Sequence, residues 1–215
     1  MKLRSQFSIP QQTSDVEELR DQTHPVNKQK RKLSLGTRPM SQSQMLVFDI
    51  ETNGLLHGVS DIHCIAIYDN QKEETFVFNN QGDQAPITEA LDWLSSADVI
   101  VGHNIIGYDL PVIRKLYPYF KTEAEVIDTL VLSIMYHPNM MEIDKKRNVA
   151  RMPLQLYGRH SLEAYGYRLG EYKGEFGKTS DWTSWSQEMQ DYCVQDVQVT
   201  TKLCEHFRPY MTRTG

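Results

Sequence analysis

A mixed α/β sheet of about five strands, flanked by helices on both faces, is the fold this sequence predicts. Two observations predict it. Three strand-like runs come first, and short apolar runs then alternate with helical segments. The chain has 215 residues, 40% of them hydrophobic and 24% charged, which allows one ordinary domain plus a tail.

Residues 1–44 are rich in Gln, Ser, Lys and Arg and poor in apolar side chains. Such a segment buries too little surface to offset its ordering entropy, so a disordered basic tail is expected. Its cluster Lys28–Lys32 reads as a solvated arm or a contact for a phosphate backbone.

Folded structure is expected from Met45, in a domain over 45–215. Runs 45–51, 61–68 and 73–79 read as strands, the last two joined by the turn Asp69-Asn70-Gln71-Lys72. Pro86 opens a helix to about Ser95, since proline is tolerated in a first turn. Residues 98–102 form a short buried strand, 108–116 a helix, 126–127 a last strand, and 128–136 a helix. The stretch 137–159, with Pro138, Pro153 and Gly158, reads as a long loop. Ser161–Leu169 is helical, a second loop carries Gly170, Gly174 and Gly177, and the final helix runs from about Ser186 to Phe207.

The net charge of −5 hides an asymmetry. Residues 1–44 carry eight basic and four acidic residues, leaving 15 and 24 for the rest, a net of −9 there. A domain of that sign acts on a polyanion only through local basic patches or bound cations. Cys64, Cys193 and Cys204 give neither an even disulfide framework nor a CxxC pair, the pattern of reduced thiols in a cytoplasmic protein. No apolar run is long enough for a spanning helix, and the N-terminus lacks a signal-peptide core, so neither membrane nor export is expected.

Asp49 and Glu51 follow the apolar run 45–48. Residues i and i+2 of a strand share a face, so two carboxylates project together from a strand built for burial. Repulsion and desolvation oppose their ionisation, and a hard divalent cation resolves the conflict. The spacing alone is weak: chance predicts about one D-x-E in this composition, and Asp15-Val16-Glu17 is a second. That one has no strand before it. Asp109 ends the segment after strand 98–102, where it either caps the next helix or joins a site at the strand ends. Tyr192 and Asp196 lie four residues apart on the last helix, among apolar positions 189, 193, 197, 200 and 203. An Asp on that face needs a partner, whereas Asp191 faces solvent.

D-x-E, then a His-Asn segment ending in Tyr108-Asp109, then Y-x-x-x-D resembles the signature of the DEDDy 3′–5′ exonucleases. Phe48–Leu56, Ile127–Ser133, His160–Gly174 and Tyr192–Lys202 resemble the proofreading domain of family A DNA polymerases of short-tailed lytic phages. The resemblance spans about 45–208 and implies a ribonuclease H-like fold. It also implies two divalent cations, Mg²⁺ or Mn²⁺, held by Asp49, Glu51, Asp109 and Asp196, with Tyr192 orienting the attacking water. It implies that Thr52 and Leu55 contact the terminal nucleotide, Leu55 as a wedge, and that Asn104 bonds the strand. Asp128 resembles a family Asp near the site, although a helix-start role suits its position better. Arg147 and Arg151, with Lys145, Lys146 and Arg159, read as backbone-tracking residues or as a solvated loop. His103 and His160 receive no role.

The implied substrate is a single-stranded DNA 3′ end. In the resembling enzymes the domain continues into a polymerase, whereas this chain ends after its last helix. The expectation is a stand-alone exonuclease, or one working beside a separately encoded DNA polymerase, in the host cytoplasm if phage-encoded. An RNA-directed enzyme of the same superfamily and a non-catalytic replisome-docking module are the alternatives.

Overall fold

The computed structural model describes residues 43–171 and 181–211. Of the tail expected over 1–44, residues 1–42 lie outside them, as do the glycines 174 and 177.

Five strands form one sheet in the order β3-β2-β1-β4-β5. They are β1 (Met45–Thr52), β2 (Ile62–Asp69), β3 (Glu74–Asn79), β4 (Val99–Gly102) and β5 (Glu125–Asp128). β1 is central, antiparallel to β2 and parallel to β4; β3 is antiparallel to β2, and β5 parallel to β4. The helices are α1 (Ile87–Ser96), α2 (Asp109–Leu116), α3 (Thr129–Tyr136), α4 (Met140–Arg147), α5 (Leu162–Leu169) and α6 (Gln187–Met211).

The alternation of β1 separates two cores. Leu46, Phe48 and Ile50 pack with α1 and α2 residues such as Leu91, Leu94 and Val112. Met45 and Val47 pack on the other face with Cys193 and Val197 of α6. Both faces are therefore covered, as a sheet with parallel strands requires. Asp49 and Glu51 continue the odd-numbered row, so β1 aims them at α6.

The loop expected over 137–159 is corrected. It contains α4 and a short 3₁₀ turn, Leu154–Leu156. No breaker separates Pro138 from Asn148, and Met140 and Asp144 bury one face of the helix. Asn148 ends it in the left-handed region, with its N–H on Asp144 O at 2.9 Å. Asparagine tolerates that conformation better than most residues. Lys145, Lys146 and Arg147 thus belong to a helix end, not to a flexible loop.

Gly102 makes a tight exit from β4. A Cβ there would sit 2.1 Å from Ile105 Cγ2 and 3.0 Å from Phe48 O. The close approach sets the loop 103–108 against the end of β1. No helix among the described residues is long and apolar enough to cross a membrane.

Candidate active site

The parallel strands β1, β4 and β5 bring their carboxyl ends to one end of the sheet, the usual place for a ligand in open α/β folds. Asp49, Glu51 and Thr52 close β1, His103 and Asn104 follow β4, and Asp128 ends β5. Asp128 starts α3, as its position suggested: its side chain accepts from Leu130 N at 2.9 Å. It also accepts from Asn104 N at 2.9 Å and Ile106 N at 3.0 Å, fixing the loop after β4.

Asp109 does not cap α2. Tyr108 occupies the cap position, without a side-chain cap bond, and Asp109 is the first helical residue. It is 4% exposed, and its Oδ1 has no hydrogen-bond partner among the described residues. Asp49, Asp109 and Asp196 line one cleft of about 470 Å³, with His103, Asn104 and Arg159 on its walls. Glu51, Thr52, Leu55, Tyr108 and Trp182 line a second, of about 350 Å³. Ile50 and Tyr108 belong to both.

The four carboxyls disturb one another. Burial, then the charges of Glu51, Asp109 and Asp196, push Asp49 well above the usual carboxylate range. Burial, then Asp196, Cys64 and Asp109, raise Glu51 to about 9. Burial raises Asp109 to about 7, against the opposing pull of backbone N–H groups. Asp196 rises to about 7, again through burial, while its hydrogen bond with Tyr192 pulls it back. Like charges gathered in a low dielectric cannot all ionise unaided. A divalent cation reverses that balance, and an all-oxygen set suits Mg²⁺ or Mn²⁺. The orphaned Asp109 Oδ1 fits the same need for a positive partner.

Tyr192 is pushed upward by burial, then by the charges of Asp196, Glu51 and Asp49, so it stays a phenol. Its ring meets Trp182 edge to face, with centroids 6.3 Å apart. Asp191 is exposed and accepts from Gln187 Nε2 at 2.8 Å.

Leu55 stands 83% exposed over the second cleft. Thr52 Oγ1 lies 2.5 Å from the Tyr108 hydroxyl, which donates to Gly54 O at 2.5 Å. Tyr108 thereby ties the β1 exit to α2. Sequence reasoning treated it only as a motif position; an aromatic residue directly before the acid was the available signal. Asn104 is exposed on the first cleft at φ 64°. Arg147 and Arg151 are not brought to the carboxylates: Arg147 lies beside His137 and His206, and exposed Arg151 lines neither cleft. Arg159 alone of that basic group reaches the site.

His103 and His160 have structural partners. His103 Nδ1 is 2.9 Å from Thr129 Oγ1, and burial lowers its pKa to about 4. His160 Nδ1 is 2.5 Å from Ser133 Oγ, which also meets the Tyr165 hydroxyl at 2.5 Å.

Comparison with known proteins agrees with this architecture. The chain is 36% identical over 184 residues to the DNA-directed DNA polymerases of Escherichia phage T7 and Enterobacteria phage T3. The match covers 75% of this chain and 26% of each relative, so the chain spans about a quarter of their length. Brucella melitensis NrnC superposes with a TM-score of 0.55 at 19% identity, over 81% of this chain and 78% of that one. The profile of the RNase_H superfamily matches residues 46–208, and the chain belongs to that superfamily.

Proposed function

We propose that this chain is a divalent-metal-dependent exonuclease that shortens single-stranded DNA from its 3′ end, releasing nucleoside monophosphates. One observation carries the reading. Four carboxyl groups and a tyrosine from β1, α2 and α6, spread over almost 150 positions, converge at the end of the central strand β1. Residues 45–215 form the catalytic domain and 1–44 a basic tail. The polymerase relatives support action beside a DNA polymerase, and the cysteine pattern suits a cytoplasmic setting.

Asp49 would serve both cations, Glu51 and Asp196 one of them, and Asp109 the other. Two such ions, when bound, supply a water acidic enough to ionise near pH 7 and clamp the attacking and leaving oxygens. The remaining work belongs to the chain. Tyr192, kept protonated, donates its one hydrogen to Asp196, and its oxygen accepts from the attacking water, orienting it together with Glu51. The water loses a proton to solvent as its oxygen attacks the terminal phosphorus, the bond to the preceding 3′ oxygen breaks, and that oxygen takes a proton from solvent and leaves as a 3′ hydroxyl. Leu55 separates the last base from its neighbour, and the Thr52–Tyr108 side of the second cleft receives it. Apolar and aromatic walls suit single strands because stacking tolerates any base. Asn104 and Arg159 contact the phosphate side of the first cleft.

Full-length protein, Mg²⁺ or Mn²⁺ and a 5′-labelled single-stranded oligonucleotide test the reading. Stepwise shortening is expected, abolished by Asp49→Ala or Asp196→Ala. Activity surviving either substitution would falsify it. Faster decay of RNA of the same sequence would redirect the substrate assignment. Inertness alone with stimulation of a polymerase's proofreading would favour the docking role.

A further inference from the structure

The proposed hydrolysis makes no use of the thiol that touches its carboxylates. Cys193 lies on α6 beside Tyr192, fully buried. Its Sγ is 3.4 Å from Asp49 O and 3.6 Å from Asp49 Oδ2. One oxygen of Asp49, one of Glu51 and this sulfur all lie within 4.8 Å of one another.

The ordinary role of such a thiol is as a weak donor to a nearby oxygen. A second reading follows from ligand geometry. A zinc-sized ion bound tetrahedrally has metal–sulfur bonds of about 2.3 Å and metal–oxygen bonds of about 2.1 Å, which place sulfur and oxygen about 3.6 Å apart. Cys193 Sγ and Asp49 Oδ2 already have that separation. One independent feature favours an ion there. Asp109, on the same cleft as Asp49, has a buried oxygen with no partner among the described residues.

We propose that Cys193 supplies a sulfur ligand through which thiophilic divalent ions of the Cd²⁺, Zn²⁺ and Co²⁺ class bind across Asp49, Glu51 and Cys193. The proposal rests on reading Asp49 and Glu51 as a cation site. On binding, the S–H bond breaks, a sulfur–metal bond forms and the proton passes to solvent, with no change of oxidation state. Soft ions prefer thiolate, whereas Mg²⁺ and Mn²⁺ prefer oxygen, so the two classes compete for the same carboxylates with opposite use of the sulfur. Soft-metal poisoning of the site is the consequence.

Chelator-stripped full-length protein is titrated with Cd²⁺ and with Co²⁺ while ultraviolet absorption is followed. In parallel, free Mn²⁺ is counted by electron paramagnetic resonance. The wild type is expected to develop a sulfur-to-metal charge-transfer band saturating with bound ion, and Cd²⁺ is expected to expel Mn²⁺. Cys193→Ser should abolish the band and weaken Cd²⁺ at least about tenfold, since losing even an outer-shell partner costs roughly 10–100-fold. Its Mn²⁺ binding should change far less. Cys204→Ser, away from the site, should keep the band. Mn²⁺ binding without a band in the wild type overturns the sulfur ligand and leaves the cation site standing. A band that survives Cys193→Ser overturns it too. Failure of every divalent ion to bind overturns both readings.

Discussion

Asp144 and Arg168 form a buried bidentate ion pair: Arg168 Nε donates to Asp144 Oδ1 at 2.9 Å and Nη2 to Oδ2 at 2.8 Å. The side chains are 0% and 4% exposed, and Gly158 N also donates to Oδ2 at 2.8 Å. The pair ties α4 to α5 and to the turn that leads into Arg159 and His160 on the catalytic cleft. Removing one partner leaves the other charge buried. Asp144→Ala is expected to cost roughly 3–5 kcal/mol of stability. The effect would be read from the urea midpoint with an unchanged slope. Burial pushes the Asp144 carboxyl up, but hydrogen bonds from Arg168 and Gly158 outweigh it and hold it below the ordinary value. Its stabilisation is therefore present above about pH 4 and lost as pH falls through the lowered folded pKa. Asp144→Asn should flatten that acid limb.

The carboxyl cluster has the opposite sign. Glu51 at about 9, and Asp109 and Asp196 at about 7, are raised in the folded protein. Metal-free protein binds more protons folded than unfolded over that range, so its stability falls as pH rises from about 4 toward 9. A bound divalent ion removes the conflict. The melting temperature in chelator should drop across this range, and Mg²⁺ or Mn²⁺ should restore it most at the alkaline end. Asp109→Asn should shrink the drop. A chelator curve that rises with pH would contradict the electrostatic picture.

Tyr192→Phe separates orientation from structure. The phenyl ring keeps the edge contact with Trp182, and only the hydroxyl shared with Asp196 is lost. About 10²-fold loss of kcat is expected, with KM nearly unchanged, since the hydroxyl acts on the attacking water rather than on the strand. Steady-state kinetics on one oligonucleotide measure both. A change in KM alone would move Tyr192 from water to substrate.

Much of this architecture was legible because each cue was local. Alternation in 45–52 assigned Asp49 and Glu51 to one face, and four-residue spacing did the same for Tyr192 and Asp196. Helix α4 was missed because prolines at 138 and 153 frame a stretch whose apolar pattern is short. Its decisive stabiliser, Arg168, lies 24 positions beyond Asp144 and leaves no periodic trace. The convergence of Asp109 with Asp49 depends on the approach of Gly102 to Phe48 O, a contact that no spacing in the sequence reports. Arg147 and Arg151 read as backbone-tracking residues or as a solvated loop, and charge alone does not choose between them; Arg147 closes α4 and Arg151 lies beyond it.

Gly102→Ala should probe that approach. The new Cβ would meet Ile105 Cγ2 at 2.1 Å, and the backbone carbonyl of Phe48 at 3.0 Å cannot yield like a side-chain tip. A loss of about 1–3 kcal/mol is expected from overpacking. Because the loop after β4 would shift, metal affinity at Asp109 should weaken with it. Thermal unfolding with and without Mn²⁺ checks both, and an unaffected protein would show that the loop is slack.

His63 makes the last test, because it acts on the site from behind. It is 6% exposed on β2, with Nε2 3.0 Å from Trp182 O and Nδ1 3.5 Å from Asp61 Oδ2. A carbonyl only accepts, so Nε2 carries the hydrogen and donates it. That bond anchors the residue whose indole lines the second cleft and meets Tyr192. His63→Ala frees the carbonyl, and a neutral hydrogen bond of about 0.5–1.5 kcal/mol translates into a roughly 2–10-fold rise in KM. His63→Gln, which keeps a donor near the same place, should recover most of the loss, a rescue that general loosening of β2 would not show. Trp182 fluorescence in a Trp93→Phe, Trp185→Phe background should shift in His63→Ala and return in His63→Gln. Mn²⁺ affinity should hold in both, since β1 keeps its own carboxylates. Equal KM values for wild type and His63→Ala would mean that Trp182 is held by its other contacts and that His63 serves only the β2 core.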